Sequence, residues 1–325
     1  MKNRMLTLMS VLFLSVIVLA ACGDSDKAIT LKLAENHPDD YPTTIGDKKF
    51  AELVEEKTDG RYKIDVYAGG QLGDEKSVVE QLQLGSIDLT RVNATPLTEF
   101  SEDIGVLSLP YLFENEESKW AHLNGELGQE LLDTFDGSNL VGLAFYDSGE
   151  RSIYNSKKLI KTPEEMKGLK IRVQPSELAI DIFEAFGASA TPMEYGEVYS
   201  AIQTGVLEGG ENNFPSYFTS NHYEVAKYFT VNKYSGPPEL LMASQSLWDK
   251  LSDEDKKVFK EAALESVAVQ REAWEKLTEE SKEAVIENGN EVFEVTDFAP
   301  WREAVEPIYE KYGEQYKVWL DKLEK

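Results

Sequence analysis

Cysteine is nearly absent: Cys22 is the only one in 325 residues. A single thiol cannot form an internal disulfide, so the fold has to be held by its core. Positive charge is also scarce, with 33 Lys+Arg against 59 Asp+Glu and a net charge of −26. That balance excludes nucleic acid as a natural partner, and tight adsorption to an anionic membrane face with it. The three histidines, His37, His122 and His222, are far apart in the chain and match no metal spacing. Conventional catalytic signatures are missing too: there is no Gly-x-Ser-x-Gly elbow, no Gly-Lys-Ser/Thr phosphate loop, no His-Glu-x-x-His and no acidic calcium loop. Gly69-Gly70-Gln71-Leu72-Gly73 matches a phosphate cradle only weakly, and a turn before a helix explains it as well. No catalytic residue, cofactor or metal is expected.

Long apolar runs are limited to Met5–Leu19, preceded by Lys2 and Arg4 and followed by Ala20-Ala21-Cys22. The run is shorter than the roughly 20 residues a bilayer span needs. A basic start, a short apolar stretch and small residues before a cut read as a secretion signal. With cysteine as the first residue after the cut, the segment resembles a bacterial lipoprotein signal, in which the thiol takes a lipid. The expectation is therefore a signal peptide over 1–21, an anchor at Cys22, a polar tether over 22–28, and a working part held at the outer face of the cell membrane. Removing residues 1–21 takes away Lys2 and Arg4, so 31 basic residues face 59 acidic ones, a net −28 on 304 residues. That length suits two domains.

A core is available, with 42% hydrophobic residues, 5 Trp, 15 Tyr and 14 Phe. β and α signals alternate along the chain, which predicts an α/β fold. Ile29–Ala34 alternates as a strand, and Pro42 opens a helix with Phe50, Leu53 and Val54 on one face. Tyr62–Tyr67 is a strand, Glu75–Leu84 a helix, and Ile87–Val92 a third strand, the opening of a parallel sheet. Leu140–Tyr146 leads to a break at Ser148-Gly149, and the pattern restarts with strands at Arg151–Tyr154 and Gly168–Val173. Thr162-Pro163-Glu164-Glu165 reads as a capping box. Ser252 caps a helix running to about Asn288, with Phe259, Ala263, Val267, Trp274, Leu277 and Val285 near one stripe. At 1.5 Å per residue it exceeds about 50 Å and would brace two domains. The expected division is 29–148 plus 237–276 for domain I and 149–236 plus 277–325 for domain II.

Among few basic residues, three arginines stand at strand ends or within apolar strands: Arg91, Arg151 and Arg172. A guanidinium in an apolar strand needs a partner, and a planar carboxylate accepting two parallel hydrogen bonds fits best. An internal salt bridge satisfies any one of them equally well. Three together favour a shared anion site, because ligands of open α/β sheets bind beyond the carboxyl ends of the strands.

Five stretches occur in one order: Tyr67-Ala-Gly-Gly-Gln-Leu-Gly73, Leu109-Pro-Tyr-Leu-Phe113, Met166-Lys-Gly-Leu-Lys-Ile-Arg-Val173, Thr191-Pro-Met-Glu-Tyr-Gly-Glu-Val-Tyr199, and Ala201-Ile-Gln-Thr-Gly205 with Glu208-Gly-Gly-Glu-Asn212. Together they resemble the extracytoplasmic solute-binding subunit of tripartite ATP-independent periplasmic (TRAP) transporters, over nearly the whole chain after the leader. The resemblance implies a two-domain periplasmic-binding-protein-like fold with a ligand cleft between the domains and a long helix spanning both, closing by a hinge. It implies Arg172 as the bidentate clamp of a substrate carboxylate, Arg151 as a second basic residue of the cleft, and Asn212 as a hydrogen-bonding partner. From the first domain it implies His37, Glu75, Arg91 and Asn93, which bind the far end of the ligand. Tyr195, Tyr217 and Phe214 are candidates for an aromatic wall. The partners implied are a small organic acid and integral permease subunits, driven by an ion gradient, with the binding protein itself a monomer.

His37, Glu75, Arg91, Asn93 and Asp147 form a polar set of donors and acceptors, which suits hydroxyl groups better than an aliphatic tail. The favoured ligand is a hexuronate such as glucuronate or galacturonate, or a related sugar acid. If Arg91 faces a second carboxylate, a C4-dicarboxylate such as malate or succinate is the better reading. Two readings of other classes remain: a ligand-loaded sensor using the same cleft, and a secreted enzyme acting on uronides, which would need an acid/base pair.

Overall fold

The computed structural model describes residues 28–323. The signal peptide, Cys22 and nearly all of the tether lie outside them. Eleven strands form two mixed sheets. The first has the order β2(Tyr62–Tyr67)-β1(Ile29–Ala34)-β3(Leu89–Asn93)-β10(Glu239–Ser244)-β4(Leu140–Tyr146). β1, β2 and β3 are parallel, as the opening pattern predicts, and β10 runs antiparallel to both β3 and β4. The second sheet has the order β11(Glu291–Glu294)-β9(Tyr228–Ser235)-β5(Arg151–Asn155)-β8(Gly209–Asn212)-β6(Lys170–Val173)-β7(Ser189–Pro192).

The chain passes between the sheets at residues 147–150, again at 236–238, and a third time along the helix Asp253–Glu287. That helix has 35 residues and is capped by Ser252, whose side chain accepts from the Asp255 amide. Its buried stripe includes Phe259 and Ala263 against the first sheet, and Val285 in the core of the second. Three residues between them touch the crossing strand one turn apart. Ser266 pairs with the Tyr146 hydroxyl at 2.7 Å. Gln270 accepts from the Asp147 amide and donates to the Asp147 carbonyl, each at 2.8 Å. Trp274 lies where a Cβ on Gly149 would meet it at 3.0 Å, and Gly149 has φ +58. A side chain there would be strained by its backbone and obstructed by the indole. Gln270 therefore satisfies the Asp147 backbone at a buried crossing, and Ser266 satisfies the Tyr146 hydroxyl beside it.

Two of the second sheet's short strands approach unusually closely. A Cβ on Gly209 would lie 2.1 Å from the Tyr154 carbonyl, which accounts for the glycine pair that opens β8. Three apolar clusters result: one on the first sheet, one on the second, and a larger one with residues of both domains, Tyr234, Trp301 and Tyr316 among them.

Two local expectations change. Thr162 makes no capping bond; residues Pro163–Met166 form a 3-10 turn, and Glu165 instead accepts from the Lys161 amide at 2.6 Å. The tail, whose pattern predicts two helices near Trp301–Tyr312 and Glu314–Leu323, folds among the described residues as three, Ala299–Ala304, Glu306–Tyr312 and Lys317–Leu323. The last, placed with domain II by the sequence, returns to domain I. Trp319 donates to Asp103 at 2.8 Å and Lys322 pairs with Glu130. Trp319 is buried there in the large apolar cluster. No helix among the described residues is long and apolar enough to cross a membrane.

Candidate ligand-binding cleft

Between the two sheets lies a narrow polar cavity lined by side chains of both domains. It forms where strand ends converge: Asn36 and His37 follow β1, Arg91 and Asn93 end β3, Glu239 opens β10, Arg151 opens β5, Arg172 and Gln174 end β6, and Asn212 ends β8. Side chains from the two domains also touch directly. Tyr41 and Ser216 pair through their hydroxyls at 2.7 Å, Gln174 donates to Asn93 at 3.2 Å, and the His37 and Tyr195 rings meet edge-on at 5.5 Å. The cleft is closed.

On the domain II side, Glu211 organises both arginines. It is buried, and its carboxylate accepts from Arg151 Nε at 2.5 Å and Nη2 at 2.9 Å, from the Tyr234 hydroxyl at 2.7 Å, and lies 3.6 Å from Arg172 Nη1. Arg151 Nη2 also donates to the Glu211 carbonyl. Arg172 is otherwise tied only through Nε, to the Met193 carbonyl at 2.8 Å, and its guanidinium sits 5.8 Å from the Tyr195 ring centroid. An arginine carries five N–H donors. Among the described residues, the four on the Nη atoms of Arg172 make no hydrogen bond, nor do the two on Arg151 Nη1. Asn212 adds its side-chain N–H₂, since its oxygen already accepts from the Asn213 amide.

The domain I side is built differently. Arg91 is completely buried, and all five of its N–H groups have protein acceptors. Nε and Nη2 bind the two oxygens of Glu35, Nη2 also binds Asn36, and Nη1 binds Glu75 at 2.9 Å and Glu239 at 2.8 Å. Burial opposes ionisation of Glu35, but Arg91 outweighs it and draws the carboxyl down to about 2. His37 is pushed down to about 3 by burial and by Arg91, so its ring, stacked on Tyr41 at 3.8 Å, is neutral. Behind Glu35, burial and the Glu35 charge hold Asp47 well above the usual carboxylate range.

Glu75, at the start of the helix Glu75–Gln83, is raised from 4.5 to about 7 by burial and by Glu239 and Glu35, against Arg91 and the Asn93 amide. A carboxyl raised on folding stabilises the folded state fully below its ordinary value, and that contribution is lost as pH rises through about 7. The ligand-free melting temperature should therefore fall more steeply between pH 5 and pH 8 in the native protein than in a Glu75→Gln variant. Parallel slopes in a melting series would show that Glu75 is ionised throughout.

Of the residues anticipated for the site, Arg172, Arg151, Asn212, Arg91, Asn93, His37, Glu75 and Tyr195 line one cavity. Asp147 does not: it lies at the crossing, 3.6 Å from Lys119 and 3.9 Å from Arg271, and its carboxylate accepts from the Gly149 amide. Tyr217 and Phe214 are also outside the cavity. Both pack on Phe229, at 4.8 and 4.2 Å, and the Tyr217 hydroxyl bonds the Ala226 carbonyl and Asn290. An aromatic beside the site in sequence went into the core because the short helix Phe214–Thr219 turns that face inward. His222 is structural, 2.8 Å from the Tyr154 hydroxyl. Gln174, Asn36, Glu239 and Glu211 were missed. For Glu239 a signal was there: it opens the apolar run Leu240–Ala243; Glu211, in Gly-Gly-Glu-Asn, is recognised only once its strand is seen to be buried.

Two mixed sheets joined by crossing strands and a long helix, closed over a buried polar cavity with no metal-holding cluster among the described residues, define a hinge-type ligand-binding protein. Residues 33–315 match the family model of bacterial extracellular solute-binding proteins, family 7, called DctP; the chain belongs to that family, whose members bind solutes rather than transform them. A solute-binding protein of Chromohalobacter salexigens is 36% identical over 280 residues, 86% of this chain and 83% of that one. The TRAP periplasmic solute-binding protein of Bradyrhizobium sp. BTAi1, solved with α/β-D-galacturonate, superposes with a TM-score of 0.89 at 38% identity, covering 91% of this chain and 99% of that one. That of Pseudomonas putida F1, solved with D-glucuronate, does so with a TM-score of 0.88 at 36% identity, covering 91% and 97%.

Proposed function

We propose that this protein captures a hexuronate, such as glucuronate or galacturonate, or a related sugar acid, outside the cytoplasmic membrane and delivers it to the membrane subunits of a TRAP transporter. The observation that carries the ligand class is the unequal state of the arginines. Arg172 keeps four N–H groups for a ligand, in the planar fork that matches a carboxylate, and Arg151 and Asn212 stand beside it. Arg91 has no donor to spare, which weighs against a C4-dicarboxylate held at both ends. The bound uronates of the similar structures support the same choice. Tyr195, beneath the Arg172 guanidinium, would cover the ligand from domain II, while His37, Glu75 and Asn93 would receive its hydroxyls. A lipid on Cys22 would keep the protein at the membrane surface where the permease lies.

A thermal-shift panel of hexuronates, aldonates, C4-dicarboxylates, amino acids and neutral sugars tests this directly. Ligand at 100 times its Kd adds about 2.7 kcal/mol of stability, worth several degrees for a chain of this size. A response to sugar acids and not to succinate or malate is expected; a response to succinate or malate alone would replace the sugar-acid reading.

A further inference from the structure

The two ends of the cleft carry opposite formal charge. At the domain II end, Arg151 and Arg172 face one carboxylate, Glu211, an excess of one positive charge. At the domain I end, a single cation, Arg91, faces three carboxylates, Glu35, Glu75 and Glu239, an excess of two negative charges when all three are ionised. Arg91 therefore supplies no net attraction for an anion. What the domain I end offers instead is acceptors. Oε1 of Glu75 takes Arg91 and the Asn93 amide, and its Oε2 makes no hydrogen bond among the described residues. Glu239 spans Arg91 and the Asn93 side chain while lining the cavity.

Resting on the sugar-acid reading of the cleft, we infer that Glu75 and Glu239 are specificity-determining residues that admit a hydroxylated end of the ligand and reject a second carboxylate. A hydroxyl donates a proton to a carboxylate oxygen; a carboxylate has none to give and meets like charge in a site with little water. In that setting the repulsion is much stronger than it would be in bulk solvent. Building a clash of charge against the wrong ligand is a recognised route to selectivity. The excluded class is the aldarates, sugar acids oxidised at both ends, together with C4-dicarboxylates. Arg91, which a sequence reading offers as the clamp for that second carboxylate, instead holds the carboxylates that exclude it.

D-Gluconate and D-glucarate separate charge from shape, since both are open chains and differ only in a terminal CH₂OH or carboxylate. Calorimetric titration of the purified protein with both, and with D-glucuronate as reference, at pH 8, where Glu75, raised to about 7, is ionised, should show glucarate binding at least tenfold more weakly than gluconate. Glu75→Gln and Glu239→Gln keep an oxygen for Arg91 and remove one charge. In each, the glucarate-to-gluconate affinity ratio should rise at least tenfold, with melting curves confirming the fold. Equal binding of glucarate and gluconate by the native protein would overturn the inference. So would equal rejection of both beside tight glucuronate, because shape and not charge would then be selecting. An unchanged ratio in both folded variants would overturn it too, and failure of every sugar acid, glucuronate included, would remove the sugar-acid reading and this inference with it.

Discussion

Arg172→Ala is expected to abolish sugar-acid capture while leaving the ligand-free protein folded. Truncating one member of a buried, hydrogen-bonded charge pair costs about 2–5 kcal/mol of binding, roughly 30-fold to several-thousand-fold in Kd. Much of that loss is the penalty of burying a ligand carboxylate with its partner gone. The fold should survive because Arg172 contributes little to it: one hydrogen bond to the Met193 carbonyl and a 3.6 Å approach to Glu211, which retains Arg151 and Tyr234. Arg172→Lys is the sharper comparison. An ammonium restores the charge but not two parallel N–H groups in a plane, so it should recover only part of the affinity. Titration calorimetry with D-glucuronate, beside circular-dichroism melting, reads both effects. Native affinity in the alanine variant would refute the clamp.

How far this site could be read from sequence depends on what each residue needed. Arg172 was legible because a guanidinium in the apolar stretch Leu169–Val173 must have a partner, and that requirement is local. Arg91 meets the same test, and the sequence leaves open whether it binds the far end of a sugar acid or a second carboxylate. The sequence shows that it needs carboxylates but not how many it has found. Glu35, Glu75 and Glu239 are separated from it by 56, 16 and 148 residues, and only the convergence of β1, β3 and β10 with the start of the helix Glu75–Gln83 brings them together. Asp147 and Tyr217 failed for a related reason. Sequence proximity to Arg151 and Asn212 says nothing of which way a side chain turns at a crossing strand or in a six-residue helix. The long helix was legible from its cap and stripe. The interior polar residues Ser266 and Gln270 were not, because they answer to the Tyr146 hydroxyl and the Asp147 backbone, over 100 residues away.

Glu211→Gln should show how much of the fold that one carboxylate holds. Glu211 is the sole acid within salt-bridge distance of either Arg151 or Arg172 among the described residues. The amide keeps the volume and one acceptor oxygen, yet leaves two buried guanidinium groups without a counter-charge. Removing one partner of a buried ion pair typically costs about 3–5 kcal/mol, which for a chain of this size lowers the melting temperature by about 5–8 °C. The ligand should then matter more than before. With Glu211 neutral, the substrate carboxylate becomes the only anion facing both arginines, so the rise in melting temperature on adding saturating D-glucuronate should exceed that of the native protein. A lowered ligand-free melting temperature with an enlarged ligand increment is the signature of a residue that stores, in the empty cleft, the charge the substrate later supplies. An unchanged ligand-free melting temperature would mean that water reaches both arginines and that Glu211 is not what holds them.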